Sequence, residues 1–89
     1  MPQIIIPPPY QGPTQGVGRL EVEGRSVRAC LDAVESLHPG FLAQVIDSAG
    51  SVHRFVKLFR NADLLTGDGL DTALDAADEL EIVAAIAGG

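Results

Sequence analysis

The chain closes on Ala87-Gly88-Gly89, directly after a run that reads as a buried strand, Glu79-Leu80-Glu81-Ile82-Val83. Two terminal glycines carry a free α-carboxylate on a stalk without side chains. Glycine lacks Cβ, so such a stalk can thread a channel that branched residues would block and adopt backbone angles closed to them. With glycine at about 7% of average usage, a Gly-Gly end arises by chance in roughly one chain in 200. A carboxylate delivered deep into another protein's active site is a substrate, so Gly88 and Gly89 are where chemistry is expected. The plain alternative is an ordinary loose terminus.

The remaining reactive residue types form no constellation. Cys30, His38 and His53 have no pair at metal-ligand spacing, so neither a metal nor a bound cofactor is expected. There is no phosphate-cradling glycine loop, because Gly67-Asp68-Gly69 is too short and too acidic. No Ser-His-Asp set or paired carboxylates in an apolar setting stand out, and the chain reads as a non-enzyme. Cys30 falls on an apolar helix stripe, which makes it a small core residue rather than a nucleophile.

Composition bounds the rest. The 89 residues suffice for one small domain. No stretch approaches the roughly 20 apolar residues needed to span a bilayer, so no membrane partner is expected. Met1-Pro2-Gln3-Ile4 has no basic region of the secretory type. A single cysteine fits a reducing compartment, and the expected location is cytoplasmic. The formal charge of −6 is unevenly spread along the chain. Residues 1–60 hold six bases against five acids, whereas residues 61–89 hold seven acids and no base. An acidic field around the tail is expected to steer it toward a basic partner and away from nucleic acid.

Elements that must position the tail follow from periodicity. Gln3–Ile6 reads as a short strand stopped by Pro7-Pro8-Pro9, and residues 7–18 as a loop. Pro8-Pro9-Tyr10 also matches a proline-rich ligand motif. Arg19–Glu23 alternates as a half-buried strand. Val27, Cys30, Leu31, Val34 and Leu37 form one stripe of a helix capped by Ser26 and stopped by Pro39-Gly40, with Arg28, Asp32 and Glu35 outward. Phe41–Ile46 reads as a helical turn, and Leu70–Leu74 as another. His53–Arg60 is the clearest strand, with Val56 and Leu58 on one face and Phe55, Lys57 and Phe59 on the other. The last strand sets Leu80 and Ile82 against Glu81 and Val83. One helix covers one face of such a sheet, which predicts an α+β roll with a domain over 1–84 and a flexible Gly-Gly tail over 85–89.

This order over about ninety residues resembles the β-grasp, ubiquitin-like sulfur carriers of the MoaD/ThiS family. His53-Arg54-Phe55-Val56, the Asn61-X-Asp63 turn and the tail from Val83 to Gly89 are most similar to the mycobacterial type that serves cysteine synthesis. The resemblance implies a mixed sheet with one main helix. It also implies three partners: a ubiquitin-activating-type adenylating enzyme that consumes ATP, a sulfurtransferase, and an acceptor of the cysteine-synthase or molybdopterin-synthase large-subunit type. On that reading the Gly89 carboxylate is adenylated and converted to a thiocarboxylate that donates sulfur. A ubiquitin-like modifier conjugated through Gly89, or an interaction module never activated, uses the same features.

Docking follows from the face assignment. With the helix over Val56, Leu58 and Ile82, the open face carries Phe55, Lys57, Phe59 and Val83, flanked by Glu81 and leading into Ile86 and Ala87. Exposed aromatic residues on one sheet face mark a partner surface, with cover by a loop or a second copy as the alternative.

Overall fold

The computed structural model describes residues 1–67 and 69–85. Strands β1 (Gln3–Ile5), β2 (Arg19–Glu21), β3 (Val56–Arg60), β4 (Asp63–Leu64) and β5 (Glu79–Ala84) form one sheet in the order β2-β1-β5-β3-β4. β1 runs parallel to β5, and the other pairings are antiparallel. Helices α1 (Val27–Leu37) and α2 (Leu42–Val45) complete the elements, with a 3₁₀ turn at Pro8–Tyr10. This is the α+β roll that periodicity predicts, with the mixed sheet and one main helix of the β-grasp that the family resemblance implies.

Alternation in the strands decides which face is buried. Ile4, Val56, Leu58, Leu80 and Ile82 meet Val27, Cys30, Leu31 and Val34 of α1 in one core, closed by Phe41 and Val45. Side chains on successive strand residues point to opposite faces, so one register fixes all of these at once. Helix α1 starts where expected, because Ser26 Oγ accepts the Ala29 N–H at 3.1 Å.

Several expectations are corrected. Leu37 lies off the stripe and is 62% exposed, since the helix ends there and the chain turns away. Glu35 does not simply face outward: its carboxylate accepts the N–H groups of Gly40 and Leu42 at 2.8–3.2 Å, tying down the loop that follows α1. β3 starts at Val56 rather than His53. The three preceding residues belong to a turn in which the His53 N–H reaches Val45 O and the Val56 N–H reaches His53 O. Residues 70–74 form no helix; they strap the start of α1 through Val27 N–H to Thr72 O, Arg28 N–H to Leu70 O and a bridge between Ser26 and Ala73. Pro8-Pro9-Tyr10 coils into the 3₁₀ turn, with Tyr10 packed against the core, so it is not an extended proline-rich ligand.

Residues 7–18 are ordered by their own polar groups. Thr14 is fully buried and donates from Oγ1 to Val17 O at 2.8 Å, while Gln11 Nε2 donates to Ile6 O at 2.7 Å. Gly24 is required by a close approach: a Cβ there would lie 2.7 Å from Cys30 Sγ and 2.8 Å from its backbone nitrogen.

Candidate tail-presenting site

The tail leaves from the centre of the sheet. β5 lies between β1 and β3, and it is paired with β3 from Leu80–Arg60 to Ala84–Val56. One bond extends this ladder, from the Ala85 N–H to Phe55 O at 2.6 Å. The segment carrying Phe55 is therefore locked in register with the root of the tail. Ile86, Ala87, Gly88 and Gly89 lie outside the described residues, and so does Asp68.

The open face is assembled by cross-strand pairs. Lys57 stands opposite Val83, and Phe59 stands between Glu81 on one side and Leu64 on the other. Ile5 follows across β5, opposite Glu81, with Arg19 beyond it on β2. Lys57 and Glu81 are exposed, and Val83, Phe59 and Ile5 are half-buried. Phe55 is 41% exposed, and the Arg54 guanidinium carbon sits 4.6 Å from its ring centroid. The face assignment is thus that of the sequence, with Phe59 more sheltered than expected because Leu64 flanks it. Leu64, 54% exposed, was hidden from the sequence by the hairpin that brings it back, and Arg54 by its place ahead of the strand. The Arg-aromatic adjacency at 54–55 was the signal that marked it.

Among the described residues, most acids of the last third lie away from Ala84 and Ala85, where β5 ends, although charge order along the chain puts them next to it. Asp63 stands opposite Arg60 in the β3–β4 register at the far end of β3, and Asp78 and Glu79 stand at the beginning of β5. There Asp78 Oδ2 accepts the Asp75 N–H at 2.8 Å, and its Oδ1 accepts from Asn61 Nδ2 at 2.8 Å. Asn61 Oδ1 in turn accepts the Glu79 N–H at 2.9 Å. The Asp75 amide, then the Asn61 side chain, hold the Asp78 carboxyl below its ordinary value, with a smaller contribution from Arg60. Glu79 also pairs with Arg19 at 3.2 Å, and Arg19 donates to Gln3 Oε1 as well.

Cys30 lies in the core, where burial pushes its thiol above the ordinary value, so the reactive thiolate is disfavoured. Among the described residues no cluster of His, Cys, Asp and Glu could hold a metal ion. None of the described helices is long and apolar enough to cross a membrane.

The architecture, with a parallel N- and C-terminal strand pair at the centre of the sheet and a strand that delivers a Gly-Gly end, places the protein among the ubiquitin-like β-grasp proteins. The ThiS family model matches residues 13–89, and the chain belongs to the ThiS family. The sulfur carrier proteins CysO of Mycobacterium bovis and Mycobacterium tuberculosis are each 30% identical over 89 residues, covering 97% of this chain and 96% of theirs. Among solved structures, a chain of the Amycolatopsis orientalis BexX/CysO complex superposes with a TM-score of 0.90 at 30% identity, over 100% of both chains. The Mycobacterium tuberculosis CysO structure superposes with a TM-score of 0.89 at 25% identity, over 97% of this chain and 100% of that one. Small archaeal modifier protein 1 from Haloferax volcanii shares the fold, with a TM-score of 0.73 at 24% identity over 99% of this chain and 98% of that one.

Proposed function

We propose that this protein is a sulfur carrier whose Gly89 carboxylate is activated by a partner enzyme and converted to a thiocarboxylate. The observation that carries the reading is the family match running through Gly89, on a chain whose central strand ends at Ala84, separated from Gly88-Gly89 by three residues. The whole-length likeness to CysO sulfur carriers supports it, and makes cysteine synthesis the favoured pathway over molybdopterin synthesis.

In the first step a carboxylate oxygen of Gly89 attacks the α-phosphorus of ATP in the adenylating enzyme, and pyrophosphate leaves. Sulfur at the sulfide level, brought by a sulfurtransferase, then attacks the acyl carbon and AMP leaves. The thiocarboxylate carries the sulfur to the acceptor enzyme. The carrier contributes an unhindered acyl carbon, a thin stalk and a docking surface, while transition-state charge is stabilised by the partner. It is a co-substrate rather than a catalyst. Phe55, Lys57, Phe59, Val83 and Glu81 supply the docking face, and Ile86 and Ala87 lie along the entry path.

Intact mass of the protein isolated from its native cell tests the reading. The expected result is a fraction heavier by the replacement of one oxygen with sulfur, lost in a variant lacking Gly89. A ladder of lysine conjugates without that increment would make the protein a modifier instead. A single unmodified mass would make it an interaction module.

A further inference from the structure

The sheet is electrically polarised along the direction of its central strand. Asp63, Asp75, Asp78 and Glu79 gather at the end where β5 begins, close to where the strap over residues 70–74 adds Asp71, and they outnumber the bases there, Arg19 (paired with Glu79), Arg25 and Arg60. The Leu80–Ala84 stretch then carries the chain about 13 Å to the opposite end. There Ala84 and Ala85 are joined to Val56 and Phe55, and the charged side chains beside them are Arg54 and Lys57, both exposed, with His53 adjoining and exposed Glu81 diagonal to Lys57, one step back along the open face. The nearest acid on the turn before them, Asp47, directs its carboxylate to the N–H groups of Ala49 and Ser51 at 2.9 and 3.1 Å. Residues 7–18, which rise from β1 toward this end, carry no charge at all. Arg54 and Lys57 also rim a cleft of about 500 Å³ with Val56, Leu58 and Leu65 in its lining, and no acidic side chain lines it among the described residues.

We infer that the root of the tail is a cationic docking point for an acidic rim around the channel of the activating enzyme. The inference rests on the carrier reading and specifies the partner's chemistry. Two properties support it. First, a chain of net charge −6 is repelled as a whole by an acidic surface, so such a rim is best approached through a local cationic pair, and Arg54 and Lys57 form one beside Ala84 and Ala85. Second, the Ala85–Phe55 bond couples Arg54-Phe55 to the tail root, so seating the guanidinium on the rim sets the height at which the tail enters. Arginine and aromatic residues are the side chains most often found at the energetic centre of interfaces, and here they stack on each other in the free protein.

The test uses the full chain and the adenylating enzyme purified from the native cell by its wild-type-dependent exchange of pyrophosphate into ATP. Arg54→Glu and Lys57→Glu are compared with Arg25→Glu, an exposed site near the other end of the sheet that changes net charge by the same amount. The expected result is a fall of about tenfold or more in kcat/KM for each root variant at low salt, shrinking as ionic strength rises, and little change for Arg25→Glu. Replacing acidic rim residues of the enzyme by lysine restores the Arg54→Glu carrier. Equal losses in all three variants mean that only net charge matters, and unchanged exchange in the root variants means that the docking point lies elsewhere; either overturns the inference and leaves the carrier reading standing. Absence of exchange with the wild-type chain overturns both.

Discussion

At the scale of single residues, the least comfortable position is Ala62. Asn61 and Ala62 have φ of +49° and +72°, and they join Arg60 to Asp63 as a two-residue hairpin loop. Both central residues of such a turn adopt the left-handed region, where asparagine is tolerated and alanine is strained by about 1–2 kcal/mol. Ala62→Gly is therefore expected to stabilise the fold by about 1 kcal/mol, read as a higher thermal midpoint. A lower midpoint would mean that the turn is not held in this conformation. The same strain explains why the hairpin was only half legible: the sequence marks a turn at Asn61-Ala62-Asp63, but without the usual glycine nothing announces a paired strand beyond it. Asn61 compensates by bonding to Asp78, which gives the turn a pH signature. Because the native Asp78 carboxyl sits below its ordinary value of 3.8, its contribution is complete above that pH and is lost as acid carries the solution through 3.8 and on through the native value. Asp78→Asn should flatten the fall in stability as the pH drops below about 4, measured by denaturant midpoints across acid titration. A variant with the wild-type slope would show that other carboxylates govern acid unfolding.

Elements were more legible than their ends. Alternation at 56–60 and 79–84 specified both the strands and the faces, because a single register slip would expose Val56, Leu58, Leu80 and Ile82 together. Helix α1 was readable from Ser26 and its apolar spacing, yet Leu37 fell outside the core since the periodic pattern outlasts the helix's contact with the sheet. The segment at 70–74 misled in another way: its leucines at 70 and 74 are buried at helical spacing, but their backbone groups are taken by α1 and by Arg25. Tertiary pairing there overrides local periodicity. A stability comparison checks the face assignment. Leu58, 3% exposed, should cost about 2–5 kcal/mol on truncation to alanine. Phe55→Ala should cost less than Leu58→Ala, about 1 kcal/mol, since Phe55 is 41% exposed and stands outside the core. If Phe55→Ala proves as damaging as Leu58→Ala in urea unfolding, the ring belongs to the core and the docking face loses its aromatic anchor.

For the whole molecule, the informative lesson is that charge order along a chain does not give charge order in space. Seven acids crowd the last 29 residues, five of them ahead of β5 and two within it, yet the strand ends at Ala84, at the end of the sheet opposite Asp63, Asp75, Asp78 and Glu79. Only the direction of β5, which no composition reveals, separates the two ends. That central strand also sets the mechanics of the fold. A partner that draws on the tail pulls β5 along its own axis, while β1 on one side and β3 on the other hold it by bonds running across the direction of pull. Such a ladder cannot be peeled open one rung at a time; all of it must shear at once. A carrier handed from one enzyme to the next can thus be gripped and released by its end many times, with the load borne by a strand clamped on both edges and the surface beside it left undisturbed.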